Sequence, residues 1–162
     1  MIRVNSLIRE RGSMFEDVLV VLDGRAPAER IVGWIRRLSR ASGARVHLLA
    51  VREIESGVWR GTRPVAFASQ LEDTVRLECL AYLEGIATRL ENAGIQVSTN
   101  VRFGSSIDAV LDEARESRAK LVAVAAPWRE ARRDALDRLA RELLHRAPMA
   151  VLVARARDQR AA

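Results

Sequence analysis

Five short runs rich in β-branched and aliphatic residues alternate along this chain with segments of helical periodicity, and that alternation leaves few folds open. The runs fall at residues 18–22, 46–51, 96–103, 121–126 and 150–154. Each is five to eight residues long, the length of a strand and too short for a helix. Strand, helix and strand in strict succession imply right-handed crossovers, so the strands lie parallel in one open sheet covered by helices on both faces. The run 96–103 alternates, with polar Gln96, Ser98, Asn100 and Arg102 between apolar or neutral neighbours. One wet face of that kind belongs near a sheet edge.

Four amphipathic segments join the strands. The first sets Ala28, Ile31, Val32, Ile35 and Leu38 on one face and stops at Gly43, a left-handed cap. The second carries Leu71, Val75, Cys79, Tyr82, Leu83, Ile86, Ala87 and Leu90 and ends at Asn92-Ala93-Gly94. The third presents Ile107, Val110, Leu111 and Ala114, with Ser105 and Asp108 spaced as a capping box. The fourth repeats Leu136, Leu139, Ala140, Leu143 and Leu144 at i, i+3, i+4, i+7 and i+8. A connection over residues 52–69, with Gly57, Gly61 and Pro64, has no periodicity and reads as a functional cover or a mobile loop.

A chain of 162 residues is one domain's worth. We divide it into an N-terminal extension, 1–14, a domain, 15–155, and a basic tail, 156–162. No apolar run reaches membrane-spanning length, and charges break residues 1–11 too often for a signal peptide. The single cysteine, Cys79, fits a reducing cytoplasm and, on an apolar helix face, reads as an inert core thiol. Net charge is +6, but residues 1–13 and 155–162 each hold three arginines against one acidic residue, leaving only +2 between them. A nucleic-acid-binding domain would gather that charge on a folded face, so nucleic acid is not an expected partner.

Ligands of open parallel sheets bind beyond the strand C-termini, where helix N-termini offer amide donors. After the fourth run this chain reads Ala125-Ala126-Pro127-Trp128-Arg129. Proline lacks an N–H and tryptophan fills space, so a phosphate cradle there has been blocked.

Three features together are similar to the universal stress protein family. They are Val21-Leu22-Asp23-Gly24 closing the first strand, Gly104 opening the third helix, and the segment from Ala147-Pro148-Met149 through Val153. The resemblance spans about residues 15–155. It implies a five-stranded parallel sheet of order 3-2-1-4-5 with adenine nucleotide alpha hydrolase-like architecture, and dimers formed through the last strand. Members that bind ATP carry G-2x-G-9x-G-[ST] after the fourth strand, together with a first-strand aspartate and a second-strand valine. Asp23 and Val51 match the last two. The loop positions fall on Ala125, Trp128, Asp137 and Arg138, none of which keeps the motif residue. The resemblance therefore implies a nucleotide site that has lost its phosphate half. A regulatory module of stress response without ATP as cofactor and without catalysis is the expected function. The alternative is a sensor of an adenine nucleotide or another anionic metabolite, gripped by Asp23, Val51 and the arginines 129, 132 and 133.

The remaining candidates read as structure. Trp59 and Trp128 plug the old cleft, and Trp34 packs under a loop or at an interface. His47 and His145 stand alone in sequence, with no metal-ligand companion, and no nucleophile motif appears. The terminal run, from Met149 on to Ala154, is an apolar edge strand open to pairing with a second copy, unless residues 1–13 fold over it.

Overall fold

The computed structural model describes residues 15–24, 26–53, 68–127 and 135–156. In chain order these form β1 (Asp17–Leu22), α1 (Ala26–Ser42), β2 (Arg45–Arg52), α2 (Ala68–Glu91), β3 (Val97–Phe103), α3 (Ser106–Glu116), β4 (Leu121–Pro127), α4 (Ala135–Arg146) and β5 (Ala150–Ala156). The sheet order is β3-β2-β1-β4-β5, and every pairing is parallel. All five strands and four helices fall where the periodicity sets them, each boundary within about three residues. The family's strand order holds.

Burial follows position in the sheet. Every residue of β1 is buried, as is Leu121 through Ala125 of β4, because helices cover both of their faces. β3 at one edge has a single buried residue, Val101. β5 at the other edge leaves Val151, Leu152, Val153 and Ala154 half-buried.

The helices sort by crossover hand. An Arg89–Glu29 ion pair (3.1 Å) joins α2 to α1 on one face, and an Arg146–Asp108 pair (2.7 Å) joins α4 to α3 on the other. The pleat assigns side chains to these faces. Asn100 and Arg102 both reach Glu113 of α3 (2.7 and 2.6 Å), so even-numbered β3 positions point toward α3. Register carries the same face to His47, Leu49 and Val51 of β2 and to Leu19 and Val21 of β1.

The expected apolar stripes are largely buried. Ile31 and Ile35 of α1, Cys79, Leu83, Ile86 and Leu90 of α2, and Leu139 and Leu143 of α4 lie in one core with the strands. One position departs from expectation, and of the two settings expected for Trp34, under a loop or at an interface, the described residues leave the second. Leu144 is 63% exposed, since the i+8 position has turned past the sheet, and Trp34 is 60% exposed, with Arg37 stacked 5.5 Å from its ring. Trp34 thus packs under no described loop.

Helix ends are fixed as expected by Gly43 (φ 75°) and Gly94 (φ 80°), a backbone region where Cβ costs energy. Ser105 stands at the N-cap of α3, yet its hydroxyl makes no capping bond to the helix backbone. Arg146, and after it the Ser105 hydroxyl, hold the Asp108 carboxyl below its ordinary value. The capping box is diverted because Asp108 has a stronger partner in the guanidinium. A missing cap costs about 1 kcal/mol, less than the ~1.5–3 kcal/mol from burying Ile107. α3 is therefore held by its core face.

Candidate functional site

The strand C-termini converge at one end of the sheet, and the expected site residues distribute there unevenly. Asp23 follows β1, half-buried, and Val51 lies half-buried on β2, on the α3 side of the pleat. Arg52 closes over this corner. Its guanidinium donates to the Asp23 carbonyl and the Val51 carbonyl, each at 3.3 Å. Gly24 lies beside it at φ 84°, a backbone region that L side chains rarely adopt, while a Cβ there would make only ordinary contact with Arg52 Nη2 at 3.4 Å. Sequence reading missed Arg52, which follows Val51 directly but acquires its role only when β2 lies beside β1.

Glu53 was also missed. Its carboxylate accepts a hydrogen bond from the Ser106 hydroxyl (2.9 Å) and faces Arg138 at 3.8 Å. These residues border a depression of about 160 Å³ with Ile107, Leu139 and Glu142. Arg138, in the first turn of α4, is thus occupied by a carboxylate of the protein itself. An incoming phosphate would compete with that pair and meet the charge of Glu53.

Ala125 is 1% exposed inside β4, opposite Ala154 of β5. β4 continues to Pro127, which pairs with Ala156. Asp137 falls in the first turn of α4. Trp128, Arg129, Arg132 and Arg133 lie outside the described residues, as do Trp59 and most of the 52–69 connection, so the plugging expected of the two tryptophans falls there too.

Below Asp23, Tyr82 of α2 holds its hydroxyl in a buried setting without a hydrogen bond of ordinary geometry. Burial first, then the charges of Glu29 and Asp23, push its pKa up to about 12, so it stays neutral. A wider depression of about 600 Å³ runs along the β3 edge between α2 and α3, bordered by Arg76, Arg102, Phe103, Asp108 and Asp112. It lies away from Asp23.

The opposite end of the sheet corrects one expectation. His47 is not isolated: its Nε2 lies 2.9 Å from Asp17 Oδ1 and its Nδ1 2.7 Å from Ser98 Oγ. Asp17 is buried and also accepts from Arg45 Nη2 at 2.6 Å. Burial alone would raise its pKa, but the bonds from Arg45 and His47 prevail and hold it below the ordinary 3.8. Separations of 30 and 51 residues hide this cluster from any sequence motif. His145 is exposed on α4, and Cys79 is buried as expected. Among the described residues no group of three ligating side chains could hold a metal ion, and no helix is long and apolar enough to cross a membrane.

Comparison with known proteins fits this architecture. The family model for the universal stress protein family matches residues 14–155. The chain belongs to that family. A universal stress protein family structure from Burkholderia pseudomallei shares 24% identity, with TM-score 0.69 over 88% of this chain and 97% of that one. A universal stress protein in complex with cAMP shares 18%, with TM-score 0.61 over 88% and 98%. One from Archaeoglobus fulgidus in complex with dAMP shares 17%, with TM-score 0.59 over 86% and 98%. At such identities the likeness shows the fold. No curated protein matches the sequence significantly.

Proposed function

We propose that this universal stress protein family member is a cytoplasmic regulatory module that acts as a homodimer and dispenses with ATP. The observation that carries the reading is the continuation of β4. A phosphate cradle begins where a strand releases its backbone to the ligand. Here residues 125–127 remain in the ladder with β5, Ala125 is sealed in the core, and Pro127 has no N–H to give. The Glu53–Arg138 pair supports the same reading, since it sets a carboxylate 3.8 Å from the arginine at the old glycine-serine position. Asp23 and Val51 then line a residual pocket, and partners are met through the dimer surface and the 52–69 connection. Titration of the full chain with Mg-ATP by calorimetry is expected to show no saturable heat up to millimolar nucleotide. A micromolar Kd would overturn the assignment.

A second reading has its own support. Two of the similar proteins named above were solved with cAMP and dAMP, ligands that need no triphosphate cradle. An adenine nucleotide with one phosphate, or another anionic metabolite, would use Asp23 and Val51 for one end. Arg129, Arg132 and Arg133 would serve the anion. A thermal-shift screen with AMP, cAMP and phosphorylated metabolites tests it. Ligand at a hundredfold its Kd adds about 2.7 kcal/mol of stability. Loss of that shift in Arg129→Ala and Arg132→Ala would establish this reading.

A further inference from the structure

We infer that Ser98 is a base-activated hydroxyl able to accept an acyl group from small activated esters or thioesters, at the end of the sheet opposite the Asp23 crevice. The inference is independent of nucleotide occupancy. It rests on Ser98, His47 and Asp17, which three adjacent parallel strands bring together on the α3 face. His47 and Ser98 are direct cross-strand partners, and Asp17 reaches His47 diagonally from β1.

The proton positions follow from the contacts. An ionised carboxylate only accepts, so Asp17 requires a hydrogen on His47 Nε2. When the ring is neutral, Nδ1 then carries the lone pair, and the Ser98 hydroxyl donates to it across 2.7 Å. Hydroxyl, imidazole and buried carboxylate thus stand in the relation of nucleophile, base and orienting group. The ring nitrogens are exchanged relative to the serine protease arrangement, which leaves the tautomer logic unchanged. Access is graded in the useful direction. The Asp17 side chain is 6% exposed and that of His47 is 20%, while Ser98 is open to solvent.

A donor for the developing oxyanion is also at hand. Val46 N bonds Gln96 O and Gly104 N bonds Arg52 O, so even-numbered β3 amides face β2 and odd-numbered ones face the open edge. The Val101 amide is taken by Asn100 Oδ1. The Thr99 amide, immediately after Ser98, faces the same open side. Ser98 borders neither depression, so no pocket there would hold a long acyl chain, and small activated donors are the ones expected to react. Arg45 also holds Asp17, at 2.6 Å, so the carboxylate is shared between the imidazole and a guanidinium.

In the step itself the Ser98 Oγ–C bond forms while the hydroxyl proton passes to His47 Nδ1. The ester C–O or thioester C–S bond breaks, and the departing alkoxide or thiolate takes that proton. Water repeats the sequence to release the acid. His47 and Ser98 are the reacting groups, and Asp17 is a positioning residue.

The test treats the full chain with a fluorophosphonate probe, which a serine attacks with loss of fluoride, and maps the adduct by mass spectrometry. Modification is expected at Ser98 and is absent in Ser98→Ala. His47→Gln, with an unchanged thermal midpoint, is expected to slow labelling about 100-fold, as loss of a general base does. Asp17→Asn is expected to slow it as well, and Asp17→Glu to restore part of the rate. If His47→Gln labels Ser98 as fast as the parent, or if adducts scatter over other serines, the cluster merely staples three strands and the inference fails.

Discussion

The two edges of the sheet are built on opposite plans. Along β3 the outward backbone is occupied at Val101: Arg76 Nη1 donates to its carbonyl (3.1 Å) and Asn100 Oδ1 accepts from its amide (2.8 Å). Arg76 also lies 4.8 Å from the Phe103 ring, and Arg102 is tied to Glu113 and Glu116. Charged and hydrogen-bonding side chains of this kind blunt an edge against another chain. β5 offers half-buried Val151, Leu152, Val153 and Ala154 instead. The wing ending in β3 is stitched by polar groups, and the wing ending in β5 is apolar. Among the described residues β5 carries no guard like those at Val101 of β3, and the proposed assembly through β5 draws on that contrast.

The largest test of this contrast is a proline in β5. Ala150 N bonds Lys120 O, so even-numbered β5 amides face β4 and odd-numbered ones face outward. Val153→Pro removes an outward donor and spares the internal ladder. The expected result is a dimer-to-monomer change in light-scattering mass with the fold retained, whereas Leu152→Pro removes a ladder hydrogen bond to β4 and costs about 1–3 kcal/mol. A parent chain that is monomeric at high concentration would break the comparison outright.

Next in size is removal of the β3 guards. Asn100→Ala withdraws a donor from the buried Glu113 and the acceptor from the Val101 amide. A loss of about 1.5–3 kcal/mol in denaturant unfolding is expected, as for hydrogen bonds to charged groups. Arg76→Ala should cost less than about 1 kcal/mol but raise concentration-dependent association, read by analytical ultracentrifugation. Association unchanged in both variants would show that the guards have no such role.

The smallest effect is one of pH. Asp17 joins β1 to β2, and through His47 to β3, with its pKa below 3.8 in the folded chain. A depressed carboxylate adds stability above its unfolded value, and that stability is lost as pH falls through the folded value. Hydrogen exchange below pH 3.8 is therefore expected to quicken in β2 and β3 before β4 and β5. Equal quickening in both wings would remove the distinction.

Legibility differed by level. Strand and helix positions were readable because burial imposes periods of two and 3.6 directly on residue order. The edge character of residues 96–103 was readable for the same reason, from its polar alternation. Asp23 and Val51 were singled out from the motif resemblance. Their place at the C-terminal ends of β1 and β2 was readable because each lies at the close of its own apolar run. Arg52 and Glu53 were not, because a long side chain after a strand acquires meaning only from the element it lands on. The reading of His47 as solitary failed most plainly, since its partners come from strands adjacent in the sheet but 30 and 51 residues away.

Residue order alone therefore determined the strands, the helices, the family and the loss of glycines at 125 and 128. It could do so because those properties are local or carried by contiguous motifs. The tertiary structure decided which charges meet. It brought Glu53 to Arg138, Arg76 to the β3 backbone, and Ser98 to His47 and Asp17. Strand pairing converts separations of tens of residues into distances near 3 Å, and electrostatic and proton-transfer chemistry depends on that distance.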